Sequence, residues 1–309
     1  MRAWTWGRWT IGIAILVALV VTFNPADIGA LLATASLPLV IAGVAGLTGL
    51  HLLGAATWRA LTRRLAGVRL VWWPAVRTYY AAQALGGFTP ASVGSDVYRV
   101  ATRRGAGDSL RGAMLPVLVQ RATSYLAVAL LGAVALLVAS RPTSFTVGVT
   151  IGALLVSLVV LGTASIVISG PGPLGAVRDR LLGPGDTHPQ GMAGAVGIGL
   201  ALGLVFHLLG IGLTYLLVLA VEPEATAPAA LAAVAIARVS LLVPITPSGL
   251  GIQEAVLAAL FVGIGLPPES ALAASLLARL SLVLTALIGA GAMLIPAERT
   301  TSLTAPTPR

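Results

Sequence analysis

Long apolar stretches alternate with short polar or basic segments along the whole chain. Since about 20 apolar residues suffice for a helix to cross the bilayer core, we predict full spans at the long uninterrupted stretches. Six are predicted, at residues 11–23, 38–58, 113–139, 145–168, 193–221 and 270–295. No stretch has the alternation of period two that a membrane β-strand requires, so the pattern predicts an all-α, polytopic membrane bundle.

Two further apolar stretches, residues 78–100 and 229–265, are interrupted by glycine and proline. The first break contains Gly86 and Pro90, and each half of the stretch reaches about 15 Å, half of the apolar core of about 30 Å. Because basic segments flank both ends of this stretch, we predict a re-entrant hairpin with its tip near the midplane. The second break, at Pro247, fits either a re-entrant hairpin or two short full crossings that meet inside. Counted by hydropathy, the chain has about eight spans.

The composition agrees with a membrane protein: 57% of the 309 residues are hydrophobic, 9% are charged, and the mean hydropathy is +0.97. All 19 basic residues are arginines and the net charge is +9, which in a soluble protein would suggest nucleic-acid binding. Here the arginines lie mainly beside apolar spans, as expected of cytoplasmic loops. On this assignment both termini are cytoplasmic, and Arg141 is the only arginine in an external loop. The absence of cysteine excludes disulfides and thiol catalysis.

The interrupted stretches and the spans after them, residues 78–139 and 229–295, share one pattern at a nearly constant offset. The corresponding positions are Pro90 and Pro247, Gly94 and Gly251, Asp96 and Glu254, and Arg121 and Arg279. The first unit begins at the cytoplasmic face and the second at the external face. Such an inverted repeat is common in transporters, whose discontinuous helices meet near the midplane at the substrate site.

We predict that the two breaks together bind an anionic head group. Helices that restart at Ala91 and near Ser248 would present unpaired N–H groups and the positive ends of their dipoles. Buried arginines also outnumber buried carboxylates, and a charge at bilayer depth is costly unless it is paired, so a phosphate would supply the missing anion. The predicted substrate-binding residues are Thr89, Pro90, Ser92, Gly94, Asp96, Arg99, Arg121, Arg238, Thr246, Pro247, Ser248, Gly249, Gly251, Glu254 and Arg279.

The same residues allow other interpretations. Proline and glycine could simply kink packed helices, with the hydroxyl groups satisfying the freed carbonyls. Asp96 and Glu254 could pair with two arginines as structural bridges, while the other arginines snorkel or contact water. Either carboxylate could also couple transport to protons.

Catalytic and metal sites have little support. His51, His188 and His207 are scattered without the spacing of metal ligands, so we expect packing or loop roles for them. No serine-centred nucleophile elbow is present, and two isolated carboxylates make a weak acid–base pair. We therefore predict no catalytic residue, no metal, no cofactor and no nucleic-acid partner.

Three segments resemble the lysylphosphatidylglycerol synthase transmembrane family, also called the flippase-like domain family. Residues 89–99 are similar to its Pro-Gly-Gly-x-Gly-Gly-Asp-x-x-Arg motif, and residues 246–254 to its Pro-Gly-Gly-Leu-Gly-x-x-Glu motif. Gln120 and Arg121 resemble its Glu/Gln-Arg pair. The resemblance covers essentially the whole chain.

This resemblance implies a single integral membrane domain over residues 1–309 that moves anionic or aminoacylated phospholipids, or polyprenyl-phosphate carriers, between the leaflets of a prokaryotic plasma membrane. Ala91, Ser95 and Ser248 stand where the family commonly has glycine, so these turns are expected to be tighter or differently hydrated. The soluble aminoacyltransferase domain of full-length lysyl-lipid synthases has no counterpart here, so lipid synthesis is not implied. The alternatives are an intramembrane transferase acting on polyprenyl-phosphate glycolipids, and an accessory protein that docks a separate membrane transferase.

The predicted topology can be tested by single-cysteine labelling, because the chain contains no cysteine of its own. In intact cells, Glu224→Cys should react with a membrane-impermeant maleimide. Arg69→Cys should react only after the membrane is permeabilised, since arginine-rich loops remain in the cytoplasm. Labelling of Arg69→Cys in intact cells would contradict the assigned orientation.

Overall fold

The computed structural model describes residues 2–22, 25–89, 92–138, 151, 189–239 and 246–295, and within these ranges the regular elements are α-helices. In chain order they are α1 (Arg2–Thr22), α2 (Pro25–Thr34), α3 (Leu37–Gly49), α4 (His51–Ala66), α5 (Trp72–Gly87), α6 (Val93–Gly105), α7 (Leu110–Val138), α8 (Pro189–Val221), α9 (Ala227–Val239), α10 (Ile252–Gly263) and α11 (Pro268–Leu294). The predicted all-α class is thus confirmed for the described part of the chain.

Four segments of the described chain are long and apolar enough to cross a membrane, namely Leu37–Ala66, Leu110–Leu137, Gly191–Val221 and Pro268–Leu294. They correspond to four of the six predicted spans. A fifth is obtained if Thr10–Thr22 and Pro25–Thr34, which meet at a bend of 85°, count as one span. Apart from residue 151, the predicted span at 145–168 and the loop after it lie outside the described residues. The protein is therefore a helical membrane protein, and the total number of spans stays a prediction.

α4 runs past the predicted end of its span at Trp58 and continues to Ala66. The span is predicted to end where the apolar residues end. The helix itself continues, because arginine favours a helix almost as well as leucine does. Arg63 and Arg64 lie in the last turn, where positive charge complements the negative end of the helix dipole. The helix ends at Gly67, whose φ of 70° takes the chain into the left-handed region.

The helices around the two breaks pack in a reciprocal pattern. α5 contacts α6 across the first break, and α9 contacts α10 across the second. α7, which follows the first break, packs on α6 and on α9. α11, which follows the second break, packs on α10 and on α5. Each of these long helices therefore contacts helices from both breaks.

Two buried clusters lie beside the breaks. Leu217 on α8, Phe261 on α10 and Leu272 on α11 are fully buried in the larger cluster, which lies beside the second break. Trp58 and Tyr79 belong to the smaller cluster, which lies beside the first break. Inside a bilayer such contacts stabilise through close van der Waals packing rather than through removal of water. The positions of the breaks thus depend on close helix packing.

Gly289 on α11 packs directly on the backbone of α5, because a Cβ at this position would overlap the carbonyl oxygen of Tyr80. Gly289→Ala should lower the free energy of unfolding by about 1–3 kcal/mol, since backbone atoms cannot easily move aside. Gly291→Ala is the matched control, because nothing lies within 4 Å of a Cβ there and alanine is the better helix former. Unfolding in mixed detergent micelles, followed by circular dichroism, measures both. An equal effect of the two substitutions would contradict this packing.

Candidate functional site

The first break is a tight turn between α5 and α6. Ser92 has a φ of 54°, so it cannot belong to a right-handed helix, and α6 begins at Val93 rather than at the expected Ala91. The hydroxyl of Thr89 accepts a hydrogen bond of 2.8 Å from the N–H of Gly94, which satisfies one of the free donors at the start of α6. Pro90 and Ala91 lie outside the described residues.

The second break has a longer left-handed turn. Ser248, Gly249 and Gly251 have φ values of 47°, 67° and 78°, so α10 begins at Ile252 and not near Ser248 as predicted. The Oε2 atom of Glu254 accepts a hydrogen bond of 2.8 Å from the N–H of Gly251. The chain's own carboxylate therefore occupies the positive end of α10, where the sequence predicts a ligand anion.

Asp96, in the first turn of α6, binds two arginines. Its Oδ1 atom lies 2.7 Å from Nη2 of Arg99, and its Oδ2 atom lies 2.8 Å from Nε of Arg121 on α7. Arg99 also donates a hydrogen bond of 2.7 Å to Oε1 of Gln120 and lies over the ring of Tyr79 at 5.1 Å. Both oxygens of the carboxylate are thus engaged by guanidinium groups.

Glu254 and Arg279 form the equivalent pair in the second unit. Nε of Arg279 lies 2.5 Å from Oε1 of Glu254, and each carboxylate precedes its arginine by 25 residues in both units. Arg279 also donates hydrogen bonds to the carbonyl oxygens of Ser248 and Gly249, at 3.1 and 3.3 Å. Only 2% of the Glu254 side chain and 11% of the Arg279 side chain are exposed. This pair therefore braces the second turn.

Residues from both breaks line one cavity of about 290 Å³, among them Ser92 of the first break and Ser248 of the second. A second cavity of about 160 Å³ is lined by Asp96 and Arg99. Ser92 and Arg121 line both, so the two cavities adjoin. The folded chain therefore has a positively charged space that is lined by residues of both breaks.

The predicted site residues divide into two groups. Those that line the cavities are Ser92, Asp96, Arg99, Arg121, Arg238, Thr246, Ser248 and Gly249. Those that line neither cavity are Thr89, Gly94, Pro247, Gly251, Glu254 and Arg279. Members of the second group shape the turns or hold them in place, and Pro90 lies outside the described residues.

Arg238 on α9 differs from the other cavity arginines because, within the described chain, it has no carboxylate partner. Its Nη2 atom lies 3.4 Å from the hydroxyl of Thr214, and its Nε atom is buried without a hydrogen-bond partner. Gly210 on α8 makes room for the guanidinium group, since a Cβ there would lie 2.5 Å from Nη2. A buried guanidinium group without an anion is energetically costly, so this position favours an anionic ligand.

Several cavity residues were not predicted. His207 on α8 and Ser124 on α7 are hydrogen-bonded at 2.9 Å and line the larger cavity, as do His51 and Gln83. From the lack of metal-ligand spacing, packing or loop roles are expected for His51 and His207, and a place in a cavity lining is not. Their polarity could have indicated a place in the cavity, since polar residues inside apolar spans generally face a bundle interior or a cavity.

Together these features define an integral membrane protein of α-helices whose interior holds a positively charged cavity. The sequence model of the family described as lysylphosphatidylglycerol synthase TM region matches residues 9–289. The chain therefore belongs to this family, and the predicted family is confirmed. No curated protein matches the chain significantly.

Glu254→Gln should lower the free energy of unfolding by about 3 kcal/mol, because it leaves the buried Arg279 without its counter-ion. The double variant E254Q/R279Q should recover part of this loss, since no unpaired charge remains. Glu224→Gln, in an exposed turn, is the control and should change little. Denaturant unfolding of the purified protein measures these three variants and the single variant Arg279→Gln. If the double variant equals the sum of the single losses, the two side chains do not interact.

Proposed function

We propose that this protein is a translocase that moves a phosphate-bearing lipid between the two leaflets of the membrane. The candidate lipids are an anionic or aminoacylated phospholipid and a polyprenyl-phosphate-linked lipid. The observation that carries the proposal is the cavity of about 290 Å³ lined by Ser92 from one break, Ser248 from the other, and the guanidinium groups of Arg121 and Arg238.

The phosphate is proposed to bind between Arg121 and Arg238. Guanidinium groups bind phosphate oxygens through charge-assisted hydrogen bonds, often in pairs, and hydroxyl groups add neutral donors. Ser92 and Ser248 are within the same lining and can act as such donors. The start of α10 is excluded from this role because Glu254 caps it. Side chains, rather than the helix termini expected from the sequence, are therefore the proposed phosphate ligands.

The proposed movement uses an inverted repeat formed by residues 78–139 and 229–295. Three features support it: the reciprocal packing of α7 and α11, the two carboxylate–arginine pairs, and the short helices beside both breaks. α6, α9 and α10 have 13, 13 and 12 residues, fewer than the roughly 20 that cross a bilayer, so both breaks are proposed to be re-entrant. Rocking of one repeat against the other would open the cavity to alternate leaflets.

We place the protein in a prokaryotic plasma membrane, with both termini in the cytoplasm, where arginine-rich loops are retained. The lipid phosphate is the proposed ligand, and no soluble cofactor enters the mechanism. A separate membrane transferase is a further proposed partner, because a translocase supplies lipid substrate to enzymes on the opposite face.

The second candidate function is a transferase component acting on polyprenyl-phosphate glycolipids. The hydrogen bond of 2.9 Å between Ser124 and His207 favours it, because a hydroxyl beside an imidazole ring can be activated as a nucleophile. Formation of a new glycolipid by the purified protein without other subunits would support this candidate. Loss of that product in Ser124→Ala would assign the chemistry to this hydroxyl.

The rate of lipid translocation can be measured in proteoliposomes as the rate at which lipid head groups become accessible from outside. Arg121→Gln should slow this rate at least about tenfold, because a charge-assisted hydrogen bond contributes about 1.5–3 kcal/mol. Arg69→Gln, at an exposed arginine outside the cavities, is the matched control and should keep the wild-type rate. No translocation by the wild-type protein would contradict the proposed function.

The double variant D96N/R121Q controls for the carboxylate that Arg121→Gln leaves partly unpaired. Both variants should translocate slowly, since both lack the guanidinium group. Recovery of the wild-type rate in the double variant would assign the role of Arg121 to balancing Asp96 and would contradict a role in phosphate binding.

A further inference from the structure

The charges that line the two adjoining cavities do not balance. Arg99, Arg121 and Arg238 contribute three positive charges, and Asp96 is the only acidic residue among the described lining residues. The lining therefore carries a net charge of about +2 when these groups are ionised. Glu254 lies outside both linings and is bound to Arg279, so it does not reduce this charge.

The one carboxylate in the described lining is already bound to arginines. Both oxygens of Asp96 accept from guanidinium groups, one from Arg99 and one from Arg121. The guanidinium group of Arg99 also covers Tyr79 at 5.1 Å, and that of Arg121 covers Tyr125 at 5.7 Å. An ammonium group would find no free carboxylate in this lining, and the net positive charge of the lining would repel it.

Arg238 adds a third positive charge to the lining, on another helix. It lies on α9, whereas Arg121 lies on α7, and both line the larger cavity. A phosphodiester carries one negative charge and can neutralise one of the two excess positive charges. A phosphomonoester carries about 1.5–2 negative charges near pH 7, and a diphosphate ester carries at least as many.

We infer that this cavity selects lipids whose head groups are phosphomonoesters or diphosphates, and rejects lipids with cationic aminoacyl head groups. The inference rests on the proposed function, since it specifies the lipid that the translocase would carry. It excludes one of the candidate classes named above, the aminoacylated phospholipids. The carrying observation is the juxtaposition of Arg121 and Arg238 in a cavity whose single carboxylate is already bound by two arginines.

The test is lipid binding to the full chain in nanodiscs of zwitterionic lipid. The probes are phosphatidic acid, phosphatidylglycerol and lysyl-phosphatidylglycerol with identical acyl chains, together with a polyprenyl diphosphate and inorganic diphosphate. Phosphatidic acid and the polyprenyl diphosphate should bind at least about tenfold more tightly than lysyl-phosphatidylglycerol, as a charged hydrogen bond is worth that factor. Equal or tighter binding of lysyl-phosphatidylglycerol would overturn the inference.

Variants at Arg238 separate charge selection from a general loss of structure. Arg238→Gln should weaken binding of phosphatidic acid about tenfold but change phosphatidylglycerol much less, whereas Arg238→Lys should retain most of the preference. Arg69→Gln is the control outside the cavities and should bind like the wild type. If Arg238→Gln weakens the binding of phosphatidic acid and phosphatidylglycerol equally, Arg238 does not select lipids by the charge of their head groups.

Two further comparisons distinguish a lipid ligand from a free phosphate ligand, and lipid selectivity from translocation. Binding of inorganic diphosphate as tightly as the lipid diphosphate would overturn a lipid ligand. Translocation of lysyl-phosphatidylglycerol as fast as phosphatidic acid in proteoliposomes would overturn the charge selection and leave the translocase intact. Selective lipid binding without translocation would support the charge selection and contradict the proposed translocase function.

Discussion

A guanidinium group inside a membrane protein needs an anion, and the described structure satisfies this need differently in its two halves. In the second unit, Glu254 neutralises Arg279 in a nearly dry environment, and the pair holds the turn. In the first unit, Asp96 is shared by Arg99 and Arg121 and lines a cavity. Two corresponding ion pairs thus differ in their surroundings: one braces a turn, and the other lines a cavity.

The turns place hydroxyl groups where glycine would be easier to accommodate. Ser92 and Ser248 both have positive φ values, a conformation that costs a non-glycine residue roughly 1–2 kcal/mol. Both also line the larger cavity. Backbone strain of this kind commonly occurs at functional sites, where a side chain is needed in a fixed place. The breaks therefore combine a change of chain direction with two positioned hydroxyl donors.

Much of this arrangement could be predicted from sequence, because proline and glycine mark the breaks and intramembrane charges are rare enough to count. The start of α10 could not, since the reach of Glu254 back to Gly251 depends on three left-handed residues before it. For the same reason Arg279 was predicted to bind ligand but lies outside both cavities. The contact of Ser124 with His207 joins residues 83 positions apart and depends on how α7 packs on α8.

Residues of the two breaks line one cavity, and this proximity can be checked by cross-linking Ser92 to Ser248. In native membranes, the variant with both Ser92→Cys and Ser248→Cys should be joined within one chain by a short bismaleimide, as identified by mass spectrometry of the linked peptides. A pair that combines Ser92→Cys with Glu224→Cys serves as the distant control. We expect a cross-link in the first pair alone. Its absence there, with both cysteines shown to react singly, would contradict a shared cavity.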